Sequence, residues 1–192
     1  MTSGRVAAIS VAVAAAVVLL YTMFVWLPRW TTRATTSAVA APLPAPGPPP
    51  PGRKIKARLF YVAEDGLHLA GVERDVAYGD GTVEQAREII AAQIAPVSEP
   101  LVSAVPTGTT LRAVFISDSG DAYVDLSREL ASAHPGGTLN ELLTIYTIVN
   151  ALTANLPAVT GVQVLVDGKE VETLSGHVDL RRPLGKNLTW VQ

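Results

Sequence analysis

The chain has 192 residues, 48% of them hydrophobic, with 17 acidic against 15 basic side chains and no cysteine. That length, less an N-terminal targeting segment, holds one domain of ordinary size, and the missing thiols exclude disulfides, thiolate catalysis and cysteine metal sites. All 17 acidic residues but only 12 of the 15 basic ones follow Gly52, so the C-terminal part is acidic without a basic stripe, which argues against nucleic-acid binding.

After a short tail (residues 1–5), residues 6–27 run for 22 positions without a charged side chain. As a helix this run is ~33 Å long, enough for a hydrocarbon core of ~30 Å, and it reads as a transmembrane anchor. Ala38, Val39 and Ala40 resemble a signal-peptidase site, but they lie well beyond the apolar run, which is itself longer than a usual signal sequence. Arg5 on one side competes with Arg29 and Arg33 on the other, so charge leaves the orientation open. A tail inside and a domain outside suits a bitopic exported protein. Residues 28–52 are rich in Thr and Ala, then in Pro (APLPAPGPPPPG), a composition that favours extended polyproline and holds a domain clear of a bilayer. Recognition by a proline-binding module is the alternative use of such a stretch.

The remaining residues, 53–192, read as one folded domain. Lys54–Val62 (KIKARLFYV) alternates polar and apolar side chains as a half-buried strand does, and 67–78 is its hairpin partner across the turn Glu64, Asp65, Gly66. The period then changes at 82–95, where Val83, Ala86, Ile89, Ile90 and Ile94 mark one helical stripe and Thr82 with Gln85 matches a capping box. Prolines at 96, 100 and 106 mark a crossing loop, followed by strands at 110–117 and 122–125 around the turn DSGD. The longest helix runs over 139–156, opened by Thr138 with Glu141 as a second capping box and buried along Leu142, Ile145, Tyr146, Val149 and Leu152. Strands at 162–166 and 170–174 flank Asp167 and Gly168, a strong hairpin signal. The order β-β-α-β-β-α-β-β gives an α+β domain with two helices on one face of an antiparallel or mixed sheet.

Asp125, Ser127 and His134 fall within ten residues and invite a triad. Ser127 lacks a nucleophile elbow, however, and stands where a strand gives way to a short helical stretch, so its hydroxyl reads as a helix cap and Asp125 as an acceptor for the same turn. His134, before Pro135, Gly136 and Gly137, reads as a solvated loop residue. His177 and Asp179 alternate along an extended segment, as a base and its orienter would, although His177 bonded to a backbone carbonyl explains them more simply. Asp118, Asp121 and Asp125 miss the calcium-loop spacing, and the histidines His68, His134 and His177 are too scattered for zinc. No catalytic, cofactor-binding or metal-binding residue is assigned.

Taken in order, VPTGT at 105–109, AYVDLS at 122–127, Glu141 with IVNALT at 148–153, VQVLVDG at 162–168, and LSGH at 174–177 with Asp179 resemble the GerMN domain family of bacterial sporulation and spore germination proteins. The resemblance spans about 54–183. It implies a compact α+β module, similar to ring-building modules of envelope assemblies, exported and tethered by a lipid or a helix, with no catalytic residues to carry over. Asp125, Ser127, Glu141, Asn150, Gly168, Gly176, His177 and Asp179 are the motif positions expected to carry structure or interaction. Tandem copies mark the best-known members, whereas this chain has one, and without a lipobox cysteine the tether here is the apolar helix. The expected role is a cytoplasmic-membrane protein with an extracytoplasmic domain that binds an envelope protein or itself. A cell-wall hydrolase accessory using His177 and Asp179, or a small-ligand sensor, is the alternative.

Overall fold

The computed structural model describes residues 18–23 and 52–192. Of the expected anchor, only 18–23 fall among them, and these are helical; the rest of that segment and the linker up to residue 51 lie outside the described residues. Among the described residues no helix is long and apolar enough to cross a membrane.

The described chain from Gly52 onward forms one compact unit. Strands β1 (Lys54–Val62) and β2 (Leu69–Ala77) form an antiparallel hairpin, followed by helix α1 (Thr82–Ile94). Then come β3 (Leu111–Ile116), β4 (Asp121–Leu126), the single-turn α2 (Glu129–Ser132), α3 (Thr138–Asn155) and β5 (Gly161–Val166). Two-residue strands β6 (Lys169–Glu170) and β7 (Leu184–Gly185) finish the fold. β3 pairs antiparallel with β4, β4 runs parallel to β5, and β6 and β7 pair antiparallel with opposite ends of β5. The parallel pair is possible because α2 and α3 supply the long crossover that parallel neighbours need.

The class is α+β and the sheet is mixed, but the hairpin does not join it. The reason lies on the second edge of β1, which side chains and a loop occupy. Gln93 of α1 accepts from the Phe60 amide and donates to the Phe60 carbonyl, both at 2.8 Å. Asn155 of α3 does the same to Arg58, again at 2.8 Å, and Val62 donates to the Val102 carbonyl. An open edge is a template for further pairing, and here two amide side chains close it. β1–β2 therefore forms a separate two-stranded sheet, packed on the helices.

Helix α3 departs from the single stripe expected for it. Leu143, Ile148 and Ala151 are buried along with Ile145, Val149 and Leu152, while Leu142 and Tyr146 are only half-buried. Its neighbours are β1, β5, β7 and α1, and a helix enclosed on most sides has to be apolar on most sides. α1 keeps Ala86, Ile89 and Ile90 inside but buries Gln85 and Gln93 rather than Val83, which stays 40% exposed.

Neither capping box forms. Both helices open from a glycine at positive φ, Gly81 and Gly137 (85° each), which places the chain for the first turn without a side-chain cap. Gln85 is thereby free to accept from the Gly79 amide and donate to the Ala77 carbonyl, fastening α1 to the end of β2. A Cβ on Gly79 would sit 2.4 Å from the backbone of Glu84 and Gln85, so that approach needs glycine.

Candidate functional site

The motif residues fall into separate corners, each of which ties together segments distant in sequence. Asp125, on β4 and 7% exposed, accepts from the Gly168 amide at 2.7 Å and from Arg112 Nε at 3.0 Å. Its partner is thus the Asp167–Gly168 turn, 43 residues further on, rather than its own turn. That turn carries φ of 50° and 74° at its two central residues, the left-handed pair that closes a two-residue hairpin. Asp167 adds its carboxylate to the Arg128 amide at 3.2 Å and faces Arg112 at 3.6 Å.

Ser127 caps no helix, because Arg128 occupies the N-cap position of α2. Its hydroxyl oxygen accepts from the Thr110 amide at 3.0 Å while its own amide donates to the Thr110 carbonyl, which extends the β3–β4 ladder by one rung. The Ser127 hydroxyl, with the Glu129 amide, also holds the Glu129 carboxyl below its ordinary range. His134 is likewise engaged rather than solvated. Its Nδ1 accepts from the Gly136 amide, so the ring proton sits on Nε2, which donates to Thr144 Oγ1 at 3.2 Å; that hydroxyl donates in turn to the Ala104 carbonyl at 2.7 Å. Asp125, Ser127 and His134 therefore serve three different contacts, and no triad links them.

The densest corner surrounds Glu141, which is fully buried on the first turn of α3. Its carboxylate accepts from the Leu174 amide (2.7 Å), the Ser175 hydroxyl (2.8 Å), the His177 amide (3.0 Å) and His177 Nδ1 (3.1 Å). Burial alone would raise this carboxyl, but donors on Ser175, Leu174 and His177 outweigh it and lower it to about 2. His177 thus binds a buried carboxylate rather than a backbone carbonyl. Asp179 is not its orienter: both oxygens engage Arg181, at 2.9 Å to Nε and 2.7 Å to Nη2, and the guanidinium holds the carboxyl far below its ordinary range. Gly176 turns the loop at φ 97°, where its amide donates to Thr173 Oγ1.

Asn150, also fully buried, donates to the Asn187 carbonyl at 2.8 Å and accepts from its amide at 3.0 Å, pinning the final segment to α3. The same device recurs at Gln93 and Asn155, which sequence reading missed. The available signal was polar residues at helical spacing on a buried face, as at Gln85 and Gln93, one turn either side of Ile89. A shallow groove of about 200 Å³ opens beside His177, lined by Glu172, Thr173, Gly176, Asp179 and Arg181. A larger groove of about 680 Å³ lies between the end of α1 and the loop 95–110; the VPTGT segment at 105–109 lines it together with Ile94, Val97 and Leu101, and none of the eight single motif positions does.

Residues 58–172, more than half of the chain, match the family model Germane, described as sporulation and spore germination. The chain belongs to the Germane family. Five motif positions, Asp125, Ser127, Glu141, Asn150 and Gly168, lie inside the family match, whereas Gly176, His177 and Asp179 lie beyond it. Among solved structures, the tandem GerMN domains of the sporulation protein GerM from Bacillus subtilis share the fold at 15% identity and a TM-score of 0.50, covering 72% of this chain and 45% of that one. The first GerMN domain of the same protein aligns at 16% identity and a TM-score of 0.49, covering 68% and 97%. A candidate lipoprotein of Clostridium perfringens aligns at 25% identity and a TM-score of 0.49, covering 69% and 88%. No curated protein matches. The Germane assignment carries a sporulation or germination context to the chain, and no established enzyme chemistry comes with it.

Proposed function

We propose that this Germane protein is a non-enzymatic module, held at the cytoplasmic membrane by residues 6–27 and displayed outside it by the proline-rich linker, where it binds an envelope protein or a second copy of itself in support of an envelope assembly. The observation that carries this reading is the use of the family positions: Asp125, Glu141 and Asn150 spend their hydrogen bonds on holding distant backbone segments, which is the work of a scaffold. The 22-residue apolar run and the linker after it give such a scaffold a tether and a stand-off.

The native chain lacks cysteine, so a single introduced one reports location without interference. With Lys169→Cys, on the exposed hairpin tip, a membrane-impermeant maleimide should label intact protoplasts as fully as lysed ones. Labelling only after lysis would put the domain in the cytoplasm and sink the proposal.

A further inference from the structure

His177 carries an acceptor that the fold leaves unused. A carboxylate can only accept, so the proton shared with Glu141 belongs to Nδ1 and the neutral ring keeps its lone pair on Nε2. The imidazole is 39% exposed, and Nε2 has no hydrogen-bond partner among the described residues. Three donors besides the ring fix Glu141, and Glu141 together with the Gly176 turn fixes the ring, so this acceptor is held in place before any ligand arrives.

Around it the groove offers complementary groups. Thr173 accepts from the Gly176 amide and still has its hydroxyl proton to donate. Asp179 and Arg181, both exposed, lie side by side as a bidentate acceptor–donor edge. Two carboxylates, Glu172 and Asp179, stand against two guanidiniums, Arg181 in the groove and Arg182 close enough to act on Asp179, so the edge offers no net charge to an anion or to a free ammonium group. At about 200 Å³ the groove is smaller than the ~300–1,000 Å³ of a site that encloses a whole ligand. It suits one unit of a longer molecule.

We propose that this groove binds a neutral polyhydroxylated unit of a glycan, with one sugar hydroxyl donating to His177 Nε2 and its neighbour pairing with the Asp179–Arg181 edge. The site stands apart from the partner-binding reading, and either can fail alone.

The test is a titration of the full chain, ¹⁵N-labelled at histidine and glycine, in phosphocholine micelles that carry no sugar, with N-acetylchitotetraose as the probe. Saturable shifts at His177 Nε2 and at the Gly176 amide are expected. His177→Asn keeps a donor for Glu141 but removes Nε2, and Arg181→Met removes the other edge from an exposed position. Each should weaken binding about 3–10-fold, the loss of one hydrogen bond, without lowering the thermal midpoint. Absence of a saturable shift in the native chain, native affinity retained by either variant, or the same shifts produced by free lysine would overturn the proposal.

Discussion

Glu141 is a buried anion whose charge is balanced by hydrogen bonds and, at most, one imidazole. Glu141→Gln keeps the shape but sets an amide N–H against donors that need an acceptor. Hydrogen bonds to charged groups contribute about 1.5–3 kcal/mol, so a loss of about 2 kcal/mol near neutral pH is expected, read from denaturant unfolding. The pH dependence has a definite sign. The folded carboxyl titrates at about 2 against an ordinary value of 4.5, so its contribution is complete above about pH 4.5 and disappears as pH falls towards 2. The gap between native and variant stability should close over that window. A gap that stays constant down to pH 2 would show that Glu141 does not hold the 174–177 loop as a carboxylate. In the sequence, Glu141 stood three residues after a threonine and read as a local cap. Its actual partners begin 33 residues later, and nothing at the level of local spacing could have disclosed them. Asp125 was misread in the same way, since a turn aspartate and a long-range brace have the same one-letter appearance.

The central event among the elements is the closing of the β1 edge by Gln93 and Asn155. Phe60 and Gln93 are both fully buried, so Gln93→Leu leaves a backbone amide and carbonyl without partners, at about 1–3 kcal/mol each. Hydrogen exchange should then accelerate at the Phe60 amide, and Asn155→Ala should do the same at Arg58, with β4 and β5 unaffected. Unchanged protection at both amides would mean that another group covers the edge. The first five strands and both long helices were legible, because period-2 alternation in KIKARLFYV and the Asp167–Gly168 turn are local signals, but the strand expected over 170–174 is reduced to Lys169–Glu170, the chain leaving the β5 edge once past the turn. β7 was not, since two residues carry no period, and the division into two sheets was hidden because it depends on which side chains reach an edge.

For the molecule as a whole, the final segment acts as a strap. Asn187 is held by Asn150, Leu69 donates to the Trp190 carbonyl, and Gln192 reaches Asp65 at 2.6 Å on the tip of the β1–β2 hairpin. Asn150→Ala should free it, so that limited proteolysis cuts within 185–192 well before the core; cleavage at the native rate would show that the strap is held elsewhere. The strap joins the hairpin, α3 and the mixed sheet into one continuous surface, the one proposed to meet a partner. That this surface is the working part of the protein is tested most directly by crosslinked capture from native membranes, comparing the full chain with one ended after Gly52. The account predicts that a defined set of envelope proteins, or a second copy of the chain, is recovered only when residues 53–192 are present. Recovery of the same proteins by both forms would contradict it.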